Sequence, residues 1–514
     1  MAITLTGYAD TDKVPGFYSE RIFGAGPINV RTIPLVMLCV GLASSAGTIT
    51  PDVDVVEITS TTSANTYAGQ GSELGRMLNA AINEARGYRL MAAAPTNSGG
   101  TAASMTITYA TNASSAGYWY YYCGGIKIAV AVASGDTPTT QAAAFVTACG
   151  KLPDLPFSVT SNLGVATLVI RQAGIRGNQW LVYQDKSSAT KPGGTTSTIA
   201  GGTAVTSSSN VNGAPFTSGA GVETMTTLLG VLQPGLYDRC AWAQNDATSL
   251  AAIMAQCDSK AGPLEGRSEH NVVATNGTSN AAISLAQTTL NNVRFQLCHM
   301  FEAETHPSEI AAAMCAKRAS VEQSKPNSSY DGYLFATPTS ARPGGVQPHR
   351  FPAQIPTRTV QQTQLDAGVT PISSTMAGGK AKVVRAITTH CLNGSTPDYR
   401  TIDVSQSVVP DYMATVFMLR WTTAFVIANP NVQDNPGDAD PLPPAGVAYP
   451  DLWNAELVQM LRDEEAKGTI CQVSANLPES EFNSTAGRIM SRVPVIATPI
   501  QHSIGVLVQQ QNAA

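Results

Sequence analysis

Charge is what this sequence has least of. Asp, Glu, Lys and Arg make up 13% of its 514 residues, about half of the usual ~25%. The shortage is concentrated in residues 98–213, where 116 positions hold nine charged residues, no Glu and no His. Thr, Ser, Ala, Gly and Asn stand in their place, so the surface is polar but weakly self-repelling, which suits a chain to be covered by copies of itself. A formal net charge of -5 excludes the basic footprint of a nucleic-acid binder. Long apolar runs are missing too. Ile33–Leu42 is too short to cross a bilayer and reads as a buried strand, and the stretch 410–428 is interrupted by Asp411 and Arg420. Met1-Ala2-Ile3-Thr4-Leu5 lacks the basic and apolar regions of a signal peptide. A soluble chain that stays in the cytosol where it is made, without membrane insertion, is the expectation.

Catalytic motifs are equally scarce. Gly69-Gln70-Gly71 with Gly75 is a loosened dinucleotide fingerprint, but Thr61–Ala68 before it reads as a loop and not a strand. A helix-capping turn accounts for these glycines. Ser188-Ala189-Thr190-Lys191 fits S-x-x-K inside a low-complexity loop without companion motifs. His270, His299, His306, His349, His390 and His502 are scattered, and the adjacent pairs Cys298-His299 and His390-Cys391 point to opposite faces of a strand. Asp434, Asp438 and Asp440 around Gly437 lack calcium-loop spacing and read as a solvated acidic loop. No catalytic, cofactor-binding or metal-ligating residue is therefore assigned, and no cofactor is expected. Nine cysteines without a C-x-x-C pair read as buried free thiols, with thiols bridging subunits as the alternative.

What is present is a multidomain α+β or α/β pattern. Residues 1–27 form an N-terminal arm: Val14-Pro15-Gly16-Phe17-Tyr18-Ser19-Glu20 is an extended segment behind a Pro-Gly turn, with too few neighbours to bury it locally. Residues 28–97 read as the first part of a core α/β domain. In it, Ser72 caps a helix over Glu73–Arg86, with Leu74, Met77, Leu78 and Ile82 on one face, and the strand Arg89–Ala94 follows. Residues 98–213 read as an inserted β-rich outer domain, with alternating strands at Met105–Tyr109, Ile126–Val132, Ala166–Ile170 and Trp180–Tyr183 and one Ala-rich helix, Thr140–Cys149. Residues 214–325 resume the core, with strands at Leu236–Trp242, Asn271–Ala274 and Asn292–Phe301 and helices at Ser249–Gln256 and Glu309–Val321. Residues 326–378 read as a Pro/Gly-rich linker. A C-terminal core domain over 379–503 opens with a strand Val383–Thr389 and carries helices at Pro410–Phe425 and Pro450–Lys467, and 504–514 form a C-terminal arm.

Several segments, in order, resemble the Mu-like family of contractile phage tail sheath proteins. Val14–Glu20 is similar to that family's V-P-G-x-Y-x-E opening, and Gly71-Ser72-Glu73-Leu74-Gly75-Arg76-Met77 to its G-S-x-L-x-x-M helix start. Gly124-Gly125, Ser134-Gly135-Asp136-Thr137, Asp154-Leu155-Pro156, Gly174 and Gly177-Asn178 follow its insertion. Gly262-Pro263, Asn276-Gly277-Thr278 and Ile310-Ala311-Ala312-Ala313 fit its middle, and Arg385–Thr389, Pro397-Asp398-Tyr399 and Leu419-Arg420-Trp421 its later segments; His390 stands where the family has Tyr.

The resemblance implies a non-enzymatic virion component with an α/β sheath core, an inserted β-rich domain and extended terminal strand arms. It implies a helical array or stacked rings of identical subunits around a tail tube protein, ended by baseplate and tail terminator proteins, without direct contact to nucleic acid. Assembly would take place in the host bacterial cytoplasm, and contraction would drive the tube through the host envelope. The inter-subunit arms would be Val14, Phe17, Tyr18, Ser19, Glu20 and Ile22 at one end, and Ile504, Gly505, Val506, Leu507, Val508 and Gln509 at the other. A phage-like contractile injection particle would share these features, and a β-rich adhesin or fibre protein is the remaining alternative.

Overall fold

Val36-Met37-Leu38-Cys39-Val40 is apolar at every position, so a strand made of it must be covered on both faces. It is β1 (Val36–Val40) in the structure, a computed structural model that describes residues 34–500. Residues 98, 188–190, 204, 209, 263–265, 339–343, 425–430, 438–440, 442, 444, 445 and 485–487 fall outside that description, as do the side chains of 422–424. After β1 come β2 (Val55–Glu57), α1 (Thr61–Ala68), α2 (Glu73–Glu84) and β3 (Arg89–Ala93). The region expected as a loop before Gly69 is the helix α1. Ser60 Oγ accepts from Ser63 N (3.1 Å) and Ser63 Oγ accepts from Ser60 N (3.0 Å), a capping box built from two serines.

Residues 102–215 form two four-stranded antiparallel sheets. Their strands are β4 (Ala102–Tyr109), β5 (Gly117–Cys123), β6 (Ile126–Val132), β7 (Phe157–Asn162), β8 (Val165–Ala173), β9 (Leu181–Asp185), β10 (Ser197–Ala200) and β11 (Val211–Pro215). The orders are β10-β4-β8-β7 and β11-β9-β5-β6. Period-two alternation turns Trp119, Tyr121, Ile128, Val130 and Leu168 into a shared core with Phe145 of α3 (Pro138–Gly150), the helix between β6 and β7. The Thr/Ser/Gly run after Ser187 contributes β10 and β11, which polar composition had hidden.

The chain returns through α4 (Thr226–Leu232), β12 (Arg239–Trp242), α5 (Ala247–Lys260), β13 (His270–Thr275), α6 (Ser279–Ser284), β14 (Phe295–His299) and α7 (Pro307–Glu322). The segment expected as a linker holds α8 (Arg358–Asp366) and β15 (Val369–Ser374), a strand buried at all six positions. Its polar side chains are satisfied inside: Thr370 Oγ1 accepts from Ile387 N and donates to Ile387 O, both at 3.1 Å. Of the strand expected over Val383–Thr389 only Val383 lies in a strand, the last residue of β16 (Ala381–Val383), which runs antiparallel to β15, and Ile387 makes a single bridge to Asp403.

These strands make an eight-stranded sheet, β16-β15-β14-β13-β12-β1-β3-β2, parallel except at its two ends. Met37 and Cys39 join α1, α2 and α7 in one buried cluster, while Leu38 and Val40 join α4, α5 and α6 in another. One strand thus feeds two helical layers, the doubly wound arrangement.

Two short pairs follow, β17 (Leu392–Asn393) with β18 (Thr396–Pro397) and β19 (Asn431–Val432) with β20 (Val447–Ala448). The helices α9 (Val404–Ala424) and α10 (Pro450–Ala466) and the hairpin β21 (Glu479–Asn483) and β22 (Arg488–Arg492) complete the described chain. The chain divides into two compact units, and the larger, Pro34–Tyr412 with Glu464–Gln472 and Val495 onward, contains the eight-stranded sheet and both four-stranded sheets. The smaller contains Met413–Asp463 and Val473–Pro494. Within it Trp421 sits edge-on to Trp453 at 4.8 Å, Arg420 pairs with Glu456, and Ser480 Oγ donates to Asn454 Oδ1 at 2.7 Å, tying the hairpin to α10.

Candidate functional site

An open α/β sheet binds ligands beyond the carboxyl ends of its strands, where strand order reverses. Here that place lies past β1, which has β3 on one side and β12 on the other. It is filled by protein. Leu42 N donates to Glu73 Oε2 at 3.0 Å, so the first residue of α2 supplies its own anion at the helix start. Arg176, in a short turn after β8, donates from Nε and Nη2 to the two oxygens of Glu73, each at 2.9 Å, and its Nη1 and Nη2 reach Glu223. Burial alone would push the Glu73 carboxyl up, but Arg176, with His306 and the Leu42 amide, outweighs it and holds the group below its ordinary range.

One helical turn on, Arg76 forks onto Glu309 of α7 (Nε to Oε1 2.8 Å) and donates to Gly124 O at 2.7 Å and Asp154 O at 2.8 Å. Its guanidinium also lies over the Trp180 ring, which stacks on His306 at 4.5 Å. A cavity of about 10 Å³ remains, lined by Leu42, Glu73, Gln172, Arg176 and Trp180 among others, which is room for one water molecule and no nucleotide. The Gly69–Gly71 turn is likewise occupied: Gly71 has φ +76°, and a Cβ there would lie 2.6 Å from Leu155 O. Ser72 Oγ accepts from Gly75 N at 2.9 Å, the capping role expected of it.

The histidines go to structural bonds. His270 meets Asp411 at 3.0 Å, His299 lies between Gly277 O and Gln364, His306 bonds Ser308 and Arg176 O, and His349 bonds Ser374. Burial pushes His270, His306 and His349 down to about 4. Among the described residues no cluster of His, Cys, Asp and Glu could hold a metal ion. Asp438 and Asp440 of the acidic loop, Ser188 to Thr190, and His502 lie outside the described residues. The nine cysteines are free, and Cys471 alone is not fully buried.

Strand addition needs an open sheet edge. The end strand β16 is covered, since Gly332 N and Phe335 N donate to Val383 O and Ala381 O at 2.8 and 2.9 Å. Between the four-stranded sheets, α3 packs along β6 and β7, while Gly202 N and Val205 N reach across to β11. The hairpin β21–β22, like the two-residue pairs β17–β18 and β19–β20, is a two-stranded sheet with no third strand among the described residues, but it is five residues long on each side, and Glu479, Glu481, Arg488, Met490, Ser491 and Arg492 are exposed. Composition did not single it out, because only five residues on each side form it and their alternation is broken by charge. Both expected arms, Val14 to Ile22 and Ile504 to Gln509, lie outside the described residues.

No protein-family model and no curated protein matches the chain. Among solved structures it is similar to the sheath tail protein of Desulfitobacterium hafniense, at 12% identity and TM-score 0.44, over 94% of this chain and 99% of that one. It is also similar to the sheath tail protein of Listeria innocua, at 10% identity and TM-score 0.48, over 91% of this chain and 92% of that one. At these values the similarity assigns neither a family nor a role.

Proposed function

We propose that this chain is a self-assembling structural subunit, the sheath of a contractile phage tail, which polymerises around a tail tube by exchanging strands between copies. The observation that carries the reading is the β21–β22 ribbon, the longest of the two-stranded pairs, exposed along both strands and with no third described strand beside it. An added strand bonds through main-chain groups and needs no particular side chain, so one joint survives large rotations of the subunits it connects. Val14 to Ile22 and Ile504 to Gln509 are the segments proposed to supply those strands from neighbouring copies. The ordered succession of sheath-like motifs from Val14 to the C-terminal segment supports the same reading, and the filled crevice beyond β1 leaves the doubly wound sheet no ligand site there.

A head-to-tail interface that does not close builds a helix or stacked rings. Contraction is then a passage between two packings of one subunit, driven by energy stored in assembly. Tail tube, baseplate and terminator proteins are the partners this reading supplies. Negative-stain electron microscopy of the concentrated recombinant protein tests it. Hollow striated tubes are expected for the full chain, and none for a folded variant lacking residues 504–514. Compact trimers or slender fibres would instead favour an adhesin, and normal tubes from the truncated variant would refute the arms.

A further inference from the structure

The two four-stranded sheets enter the chain after β3 and leave it before α4, so two crossings and whatever lies between them set their orientation on the eight-stranded sheet. Part of what lies between them is polar and neutral, such as Gln179 with Asn245 and Tyr183 with Gln354, and part of it is charge. Glu73, Arg76, Arg176, Glu223 and Glu309 are each 6% exposed or less. Glu73, Arg76 and Glu309 belong to helices of the large sheet, whereas Arg176 and the acceptor Gly124 O belong to the β-rich part. His306 joins the two sides through Arg176 O at 3.2 Å and through its stack on Trp180.

Such a seam has one deep position. Sliding it by an ångström or two breaks forked pairs between side chains that are each 6% exposed or less. Withdrawing Arg176 would leave the Glu73 and Glu223 carboxylates facing each other without a counter-ion. Taking away one partner of a buried pair is far costlier than the pair is worth. Packed seams of this kind do not deform continuously.

We propose that the Glu73–Arg176–Glu223 clamp, together with Arg76 held by Glu309 and donating to Gly124 O and Asp154 O, is a latch that fixes the β-rich sandwich to the α/β sheet as a single lever, with Arg176 as its positioning residue. Its use in a contracting sheath rests on the reading above; the latch itself is a property of the single chain. A lever of this kind carries displacement of the sandwich undiminished to the sheet.

Hydrogen exchange followed by mass spectrometry on the full chain tests it, comparing the native protein with Arg176→Ala. In the variant the amides of Leu42 and Ile175–Gln179 are expected to exchange faster by ~100-fold or more, while those of β5, β9 and β13 keep their protection. Millimolar guanidinium chloride, which places a free guanidinium between the two carboxylates, is expected to slow that exchange again, and equal sodium chloride is not. Unchanged exchange at Leu42, uniform acceleration throughout the chain, or rescue by both salts alike would overturn the latch. Should Arg176→Ala fail to fold, Glu223→Gln keeps the Glu73 pair and is expected to loosen Ile175–Gln179 alone; no change there would overturn the proposal equally. A native chain that never forms tubes would sink the sheath reading and leave the exchange result standing.

Discussion

Replacing Glu322 by Gln is expected to cost the larger unit about 3–5 kcal/mol. Glu322 ends α7 and accepts from Arg318 Nε at 2.8 Å, from Tyr330 Oη at 3.0 Å and from Arg239 Nε. All four residues are 6% exposed or less, and Arg318 Nη1 goes on to Gln296 Oε1 at 3.2 Å. Burial alone would raise the Glu322 carboxyl, but Arg239 and Arg318 outweigh it and bring it down from 4.5 to about 2. At 1.36 kcal/mol per pKa unit, that difference is worth about 3 kcal/mol. Because the folded pKa is depressed, this stability is present above pH 4.5 and is lost as pH falls toward 2. Glu322→Gln keeps the shape and one acceptor but takes from two buried guanidiniums the carboxylate they share. Native-state hydrogen exchange on β12 and β14 reads the opening free energy directly. A control replaces the triad together, Arg239→Met, Arg318→Met and Glu322→Leu, and should lie within about 1 kcal/mol of the native protein if the penalty is orphaned charge. A Glu322→Gln effect below about 1 kcal/mol, or an undiminished acid sensitivity, would refute the reasoning.

Acid should weaken the fold by a second route. His270, His306 and His349 sit near 4 in the folded chain, so unfolded histidine binds more protons, and stability is present above pH 6.5 and falls between 6.5 and 4. A pH series of thermal melts checks this, and each site's share should vanish in a His→Gln variant. A thiol reagent applied to the native protein should label Cys471 alone, with all nine reacting only after denaturation, because burial pushes Cys298 and Cys315 up to about 12. Gly124→Ala should destabilise by about 2 kcal/mol. Its φ is +53°, and the new methyl would sit 2.5 Å from Arg76 Nη2 and 2.8 Å from Trp180, so a urea midpoint unchanged from native would contradict the seam geometry.

Elements with strong local signals were legible. Pro450–Ala466 has Pro and Asp451 in its first turn and Leu457 and Leu461 facing inward, and α7 needed only its Ala-rich core and Pro307 at its start. β1 declared itself by being apolar throughout, and Ile126–Val132 by strict alternation. β15 did not, since Val-Thr-Pro-Ile-Ser-Ser carries the composition of a loop; its burial depends on Ile387 and His349, which are distant in sequence. α1 was hidden for a similar reason, because serine caps both starts a helix and reads as a turn former.

The sequence by itself determined the mixed α/β class, the charge-poor stretch between residues 98 and 213, the cap at Ser72 and the inward faces of the main helices. These are local matters, settled by periodicity and by what an apolar side chain requires of its surroundings. Only the tertiary structure decided that Arg176 lies against Glu73, 103 positions away, and that the crevice beyond β1 is filled by the protein's own side chains. Ionised groups carry no sequence mark of their partners: a buried arginine must find a carboxylate, and which one depends on how two sheets meet in space.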